Sequence, residues 1–134
     1  MASINDLCKQ MVDSTPDAVA ANVVDLGSGM MLGGFFLSNF TSDHFEAVSA
    51  AATALYRGRE TLRVEDLVKA QRGDTSNEHY MEDVQFSTRG LLHFVMKVPS
   101  KEAILCLVIR KPGNVGMGWA AIRTNVPKVG PLIP

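Results

Sequence analysis

The sequence predicts an α+β fold in three layers, with helices on both faces of one five-stranded sheet, and three observations lead there. The first is Ala103 to Arg110, where every position from Ile104 through Ile109 is apolar, with none of the period-2 alternation of a half-exposed strand. Burying Ile104, Leu105, Leu107, Val108 and Ile109 contributes roughly 1.5 to 3 kcal/mol each, and only a central strand between two helical layers gains that on both sides. The second is a set of helical patterns before and after this strand, each with a face suited to a sheet. The third is the meander ahead of it, in which Val84 and Phe86 alternate with Asp83, Gln85 and Ser87, and Leu92, Phe94, Met96 and Val98 stand against His93 and Lys97.

Taken in order, Ser3 and Asp6 resemble a capping box, and Ile4, Leu7, Cys8, Met11 and Val12 repeat as one buried helical stripe that Pro16 ends. Val19 to Leu26 and Met30 to Leu37 read as a hairpin turned at Gly27-Ser28-Gly29, with Gly33-Gly34 marking a bulge or a close backbone approach. Asn39 to Asp43 is a polar break in which Ser42 or Asp43 can cap a helix running to about Arg57. Phe45, Val48, Ala52, Leu55 and Tyr56 give that helix its sheet face. Ala47, Ala51, Ala54 and Gly58 form a second stripe of small residues, which admits a close partner helix or simply reflects alanine's helix propensity on a solvated face.

Residues 59–81 are charged and polar, and read as an insertion with a turn or two of helix at Val64, Leu67 and Val68 and a flexible loop. The Arg72-Gly73-Asp74 triplet inside it is read as chance. Asp83 to Ser87 is a half-buried strand, Thr88-Arg89-Gly90 turns it, and the next strand feeds the central one. Asn114 then caps a last helix with Val115, Trp119, Ile122 and Val126 along one side. The domain is expected to span residues 1–126, with residues 127–134 as an extended, proline-rich tail. The first and last helices cover one sheet face and the second helix the other.

The chain of 134 residues fits a single domain. Its 13 basic and 14 acidic residues carry no electrostatic footprint for nucleic acid or an anionic membrane. Cys8 and Cys106 read as small buried hydrophobes of a reducing compartment. Ser3 to Gln10 is unlike a secretory leader, and no apolar run approaches the roughly 20 residues that span a bilayer. A cytoplasmic protein is expected.

Chemistry is sparse. There is no Gly-x-x-x-x-Gly-Lys-Ser/Thr phosphate cradle, and Gly113, Gly116 and Gly118 are read as packing glycines, not as an anion site. His44, His79 and His93 lack metal-ligand spacing, and no nucleophile elbow is present. No cofactor, metal or catalytic constellation is expected, and the chain reads as a non-enzyme.

The order of elements, together with Val23-Val24-Asp25-Leu26-Gly27-Ser28-Gly29-Met30-Met31-Leu32-Gly33 and Pro112-Gly113-Asn114-Val115-Gly116-Met117-Gly118-Trp119, resembles the Roadblock family of dynein light chains and bacterial GTPase regulators over roughly Ile4 to Val126. The resemblance implies a profilin-like, five-stranded antiparallel sheet with the fifth strand in the middle. It also implies a homodimer in which the third strands pair across a two-fold axis and the second helices pack together. On this chain those positions are Asp83, Val84, Gln85, Phe86 and Ser87, and the stripe Ala47, Ala51, Ala54 and Gly58. The implied function is a non-catalytic regulatory or scaffold module for a small Ras-like GTPase. A GTPase-activating partner can supply an arginine finger, and among Arg57, Arg59, Arg63, Arg72 and Arg89 no spacing selects one. The alternative is a small-ligand sensor whose pocket between sheet and helix is lined by Met30, Met31, Phe35, Phe36 and Trp119. The 59–81 connection and the tail after Val126 depart from the family pattern.

Overall fold

Ala103–Arg110 is the middle strand of a single sheet, covered on both faces. A computed structural model describes residues 2–37 and 40–134; Asn39, in the expected polar break, lies outside them. The elements are α1 (Ile4–Ser14), β1 (Ala18–Asp25), β2 (Met31–Phe36), α2 (Ser42–Arg57), α3 (Arg59–Arg72), β3 (Asp83–Thr88), β4 (Leu91–Lys97), β5 (Ala103–Arg110), α4 (Val115–Val129) and a 3₁₀ turn (Gly130–Leu132). The strand order is β2-β1-β5-β4-β3, antiparallel at every pairing.

Alternation along β5 divides the core. Leu105, Leu107 and Ile109 pack with Leu7, Cys8 and Met11 of α1 and Ile122, Val126 and Val129 of α4. On the opposite face Ile104 and Cys106 pack with Ala52 and Tyr56 of α2, and Val108 with Phe45. The unbroken apolar run is therefore the signature of two covered faces, as predicted.

Local chemistry sets the element ends. The capping box of α1 is complete: the Asp6 N–H donates to Ser3 Oγ at 3.1 Å and the Ser3 N–H to Asp6 Oδ2 at 3.0 Å. Thr41, not Ser42 or Asp43, caps α2, its hydroxyl accepting from the His44 N–H at 3.1 Å. The sheet face of α2 is Phe45, Ser49, Ala52 and Tyr56, whereas Leu55 is exposed. Ser49 belongs there because Asn22 Nδ2 donates to its hydroxyl at 3.1 Å, a cross-layer bond that gives the buried amide nitrogen a partner, while Asn22 Oδ1 has none among the described residues.

Larger corrections concern α3 and the C-terminal end of the chain. The stretch after Gly58 is a helix of 14 residues, Arg59–Arg72, ended by Gly73 in the left-handed region at φ 67°. The last helix does not stop at Val126 to leave an extended tail: α4 runs through Pro127 to Val129, and Leu132 and Ile133 pack on the core. A proline inside a helix costs about 3 kcal/mol. Burial of Val126 and Val129 on the same stripe returns roughly 1.5 to 3 kcal/mol each, so the helix continues. Val115, by contrast, is exposed rather than on the packed side.

Candidate functional site

The two edges of the sheet are built differently. At β2, α1 lies against the strand, and Asn5 Oδ1 accepts the Gly34 N–H at 2.8 Å. A Cβ on Gly33 would stand 2.6 Å from Ile4 Cγ2, so the glycine permits α1 to seat on the edge. Among the described residues nothing of this kind covers β3. The Lys97 N–H donates to the Glu82 carbonyl at 3.1 Å, and the ladder continues in register from Asp83 opposite Met96 to Thr88 opposite Leu91. Antiparallel alternation then directs the backbone groups of Val84, Phe86 and Thr88 toward β4, and those of Asp83, Gln85 and Ser87 outward.

The side chains of β3 hold the strand in place without covering that edge. Val84 and Phe86 face the α2 layer. The Phe86 ring stacks on His93 of β4 at 4.4 Å between centroids and 6° between planes, and His93 Nε2 lies 2.9 Å from Thr88 Oγ1. Burial, then the nearby charge of His44, pushes the His93 pKa down, so the ring is neutral under the phenyl group. On the other face Trp119 Nε1 of α4 donates to Gln85 Oε1 at 2.8 Å.

The small stripe of α2 points away from the sheet: Ala47, Ala51 and Ala54 are exposed and Gly58 is half-buried. A Cβ on Gly58 would sit 2.3 Å from the Ala54 carbonyl oxygen, so the α2–α3 corner itself requires a glycine. Asp83 to Ser87 thus form an edge strand and Ala47, Ala51 and Ala54 an outward helix face, with Gly58 at the corner that ends the helix.

Sequence reasoning missed what holds the approach to β3. Glu65 of α3 is buried at 5% exposure. Its carboxylate accepts the backbone N–H groups of Tyr80 at 2.5 Å and Met81 at 3.2 Å, and pairs with His79 Nδ1 at 2.9 Å. Burial pushes this carboxyl up, but these three partners outweigh it and hold it below the usual carboxylate range. Tyr56 OH donates to the Glu82 carbonyl at 2.5 Å. The stretch read as a flexible loop is pinned from two helices, and the only local signal was an acid on the inner side of a helix.

The five residues of the expected ligand pocket do not converge. Phe35 and Trp119 pack on the α1/α4 side, Met31 and Phe36 on the α2 side, and Met30 is 68% exposed. The arginines also separate. Arg57 forms a two-point ion pair with Glu102, at 2.6 and 3.1 Å, and Arg72 stacks on Tyr80. Arg59, Arg63 and Arg89 are exposed and make no ion pair among the described residues. No helix among the described residues is long and apolar enough to cross a membrane.

A five-stranded antiparallel sheet in the order β2-β1-β5-β4-β3, with two helices on one face and one on the other, is the profilin-like fold of Roadblock domains. The chain is similar over 97% of its length to 97% of a Roadblock/LC7 domain from Streptomyces avermitilis, at 17% identity and a TM-score of 0.72. It is also similar to MglB in a tetrameric arrangement (12% identity, 95% of this chain and 85% of that one, TM-score 0.71) and to profilin II of Acanthamoeba castellanii (14%, 95% and 96%, 0.61). No protein-family model matches the sequence, and no curated protein matches it.

Proposed function

We propose that this chain is a non-catalytic, homodimeric regulatory or scaffold module that binds a small Ras-like GTPase. The observation that carries the reading is the bare β3 edge beside an outward stripe of small residues on α2. An edge with unpaired backbone groups is a pairing site, and a two-fold antiparallel union of β3 with its copy makes one continuous sheet. The same axis brings the two α2 helices side by side, where Ala47, Ala51, Ala54 and Gly58 let them approach. The likeness in fold to Roadblock/LC7 and MglB structures supports the class, and the tetrameric arrangement of one MglB structure supports self-association.

The paired α2 helices form a shared surface that neither copy has alone, and this is where the GTPase is assigned. If the module accelerates GTP hydrolysis, Arg59 and Arg63 of α3 are the candidates we favour for the arginine, since both are exposed and make no ion pair among the described residues, whereas Arg57 and Arg72 are already engaged. Sedimentation equilibrium at micromolar concentration tests the dimer. Capture of a GTP-loaded Ras-like GTPase from the same organism, with its turnover followed by phosphate release, tests the partner. A monomer at that concentration removes the first part, and a full set of such GTPases that neither binds nor changes turnover removes the second.

A further inference from the structure

A groove of about 370 Å³ lies between α3 and the segment leading into β3, lined by Glu60, Val64, Val68, Tyr80 and Met81. Beside it Val64 and Leu67 are 59% and 60% exposed, an unusual load of free apolar surface for one helix. Resting on the β3 pairing proposed above, we infer that this groove receives the β3–β4 hairpin tip of a second copy of the chain, whose Arg89 comes to lie against Glu60.

The inference follows from register. Only Asp83, Gln85 and Ser87 direct backbone groups outward. A two-fold antiparallel pairing uses all three when Gln85 lies on the axis and Asp83 stands opposite Ser87; centring on Val84 or Phe86 uses two. Continuing the Gln85-centred register places Glu82 opposite Thr88 and Met81 opposite Arg89 of the second copy. Paired strands lie about 4.8 Å apart, so the partner's tip reaches the mouth of the groove.

The charges agree. Arg89 is exposed at a tip that Gly90 closes with φ 82°, and it makes no ion pair among the described residues. The groove presents Glu60, with exposed Glu82 and Asp83 at the adjoining strand start. Arg59 and Arg63 of the same helix are not among its lining residues. On this reading α3 extends the dimer contact beyond the edge strand, and Glu65 keeps the groove wall in position.

The test uses the full chain. Sedimentation equilibrium is run on Arg89→Glu, Glu60→Arg and the double variant, with Gln85→Cys as a separate report on the strand pairing. Across a hydrogen-bonded antiparallel pair the Cα atoms are about 5.5 Å apart, within disulfide range, so Gln85→Cys cross-links to its copy under mild oxidation. Cys8 and Cys106 do not interfere, since burial pushes both thiols up to about 12. Each single charge reversal is expected to raise the dimer dissociation constant about fivefold, and the double variant to return within about twofold of the parent. Val64→Asp, at an exposed position, weakens it by a similar factor. A Gln85→Cys dimer whose affinity is indifferent to Arg89→Glu and Glu60→Arg, or single losses that add without rescue, overturns the groove assignment alone. A monomeric parent without the Gln85 cross-link overturns the strand pairing, and the groove assignment with it.

Discussion

The β2 and β3 edges belong to one sheet and meet opposite fates. At β2 a helix is laid along the strand, a side-chain amide accepts an outward N–H, and Gly33 makes room for the helix. At β3 the strand is fixed from within, by Phe86 on His93 and Gln85 to Trp119, while its outer backbone groups stay bare. An edge left to chance invites aggregation, and natural sheets blunt theirs. Here one edge is covered intramolecularly and the other keeps its register with β4 while its outward side stays open among the described residues.

The sharpest way to break the contrast is Gln85→Pro. Its N–H points away from β4, so the internal ladder survives, but the ring removes the two donors on the proposed axis. A loss of dimer affinity of about 100-fold or more is expected, with the far-ultraviolet spectrum of the monomer unchanged; unaltered sedimentation sinks the pairing. Gly33→Val attacks the closed edge instead, driving a side chain into Ile4 and Asn5. Overpacking of this kind costs about 1 to 3 kcal/mol, read as a lowered urea midpoint, with the dimer dissociation constant of the folded fraction unchanged.

Glu65→Ala takes the acceptor from the N–H groups of Tyr80 and Met81. Partly buried donors without a partner cost about 1 to 3 kcal/mol, and hydrogen exchange at Tyr80 and Met81 should quicken well before that in β5. A smaller effect, with a definite sign, comes from pH. The folded-state pKa of His93 is pushed down by burial from an ordinary value of 6.5. The neutral ring is favoured in the fold, so its contribution is complete above pH 6.5 and is lost as pH falls through 6.5 toward the lowered value. Urea midpoints should drop on acidification in the parent and less in His93→Gln. Equal drops in both remove His93 as the cause.

Much of this was legible in the chain. The continuous apolar run at Ile104 to Ile109 placed the central strand, because only a strand covered twice tolerates no polar position. Alternation at Val84 and Phe86 announced a half-exposed strand, and the alanine stripe of α2 emerged on the outward face because a helix with one committed side must turn its other side to water. The features that were missed join residues far apart in sequence. Glu65 meets Tyr80 and Met81 from about fifteen residues away, and Ser49 meets Asn22 from the far layer, so neither partnership leaves a mark in local pattern. Leu55, apolar and well spaced, was assigned to the sheet face and is exposed.

By itself the sequence determined which segments must be buried, since periodicity and hydrophobicity are properties of a segment alone. It also determined that one strand is wetted on alternate positions and that the Gly-x-x-x-x-Gly-Lys-Ser/Thr pattern does not occur in this sequence. Only the tertiary structure decided which edge is sealed, that the helix continues past Pro127, and that residues 59–81 build a wall instead of a loop. Each of those outcomes is a difference between a local cost, such as a lost hydrogen bond or a desolvated carboxylate, and a gain from contacts remote in the chain, and the gain has no trace in local pattern.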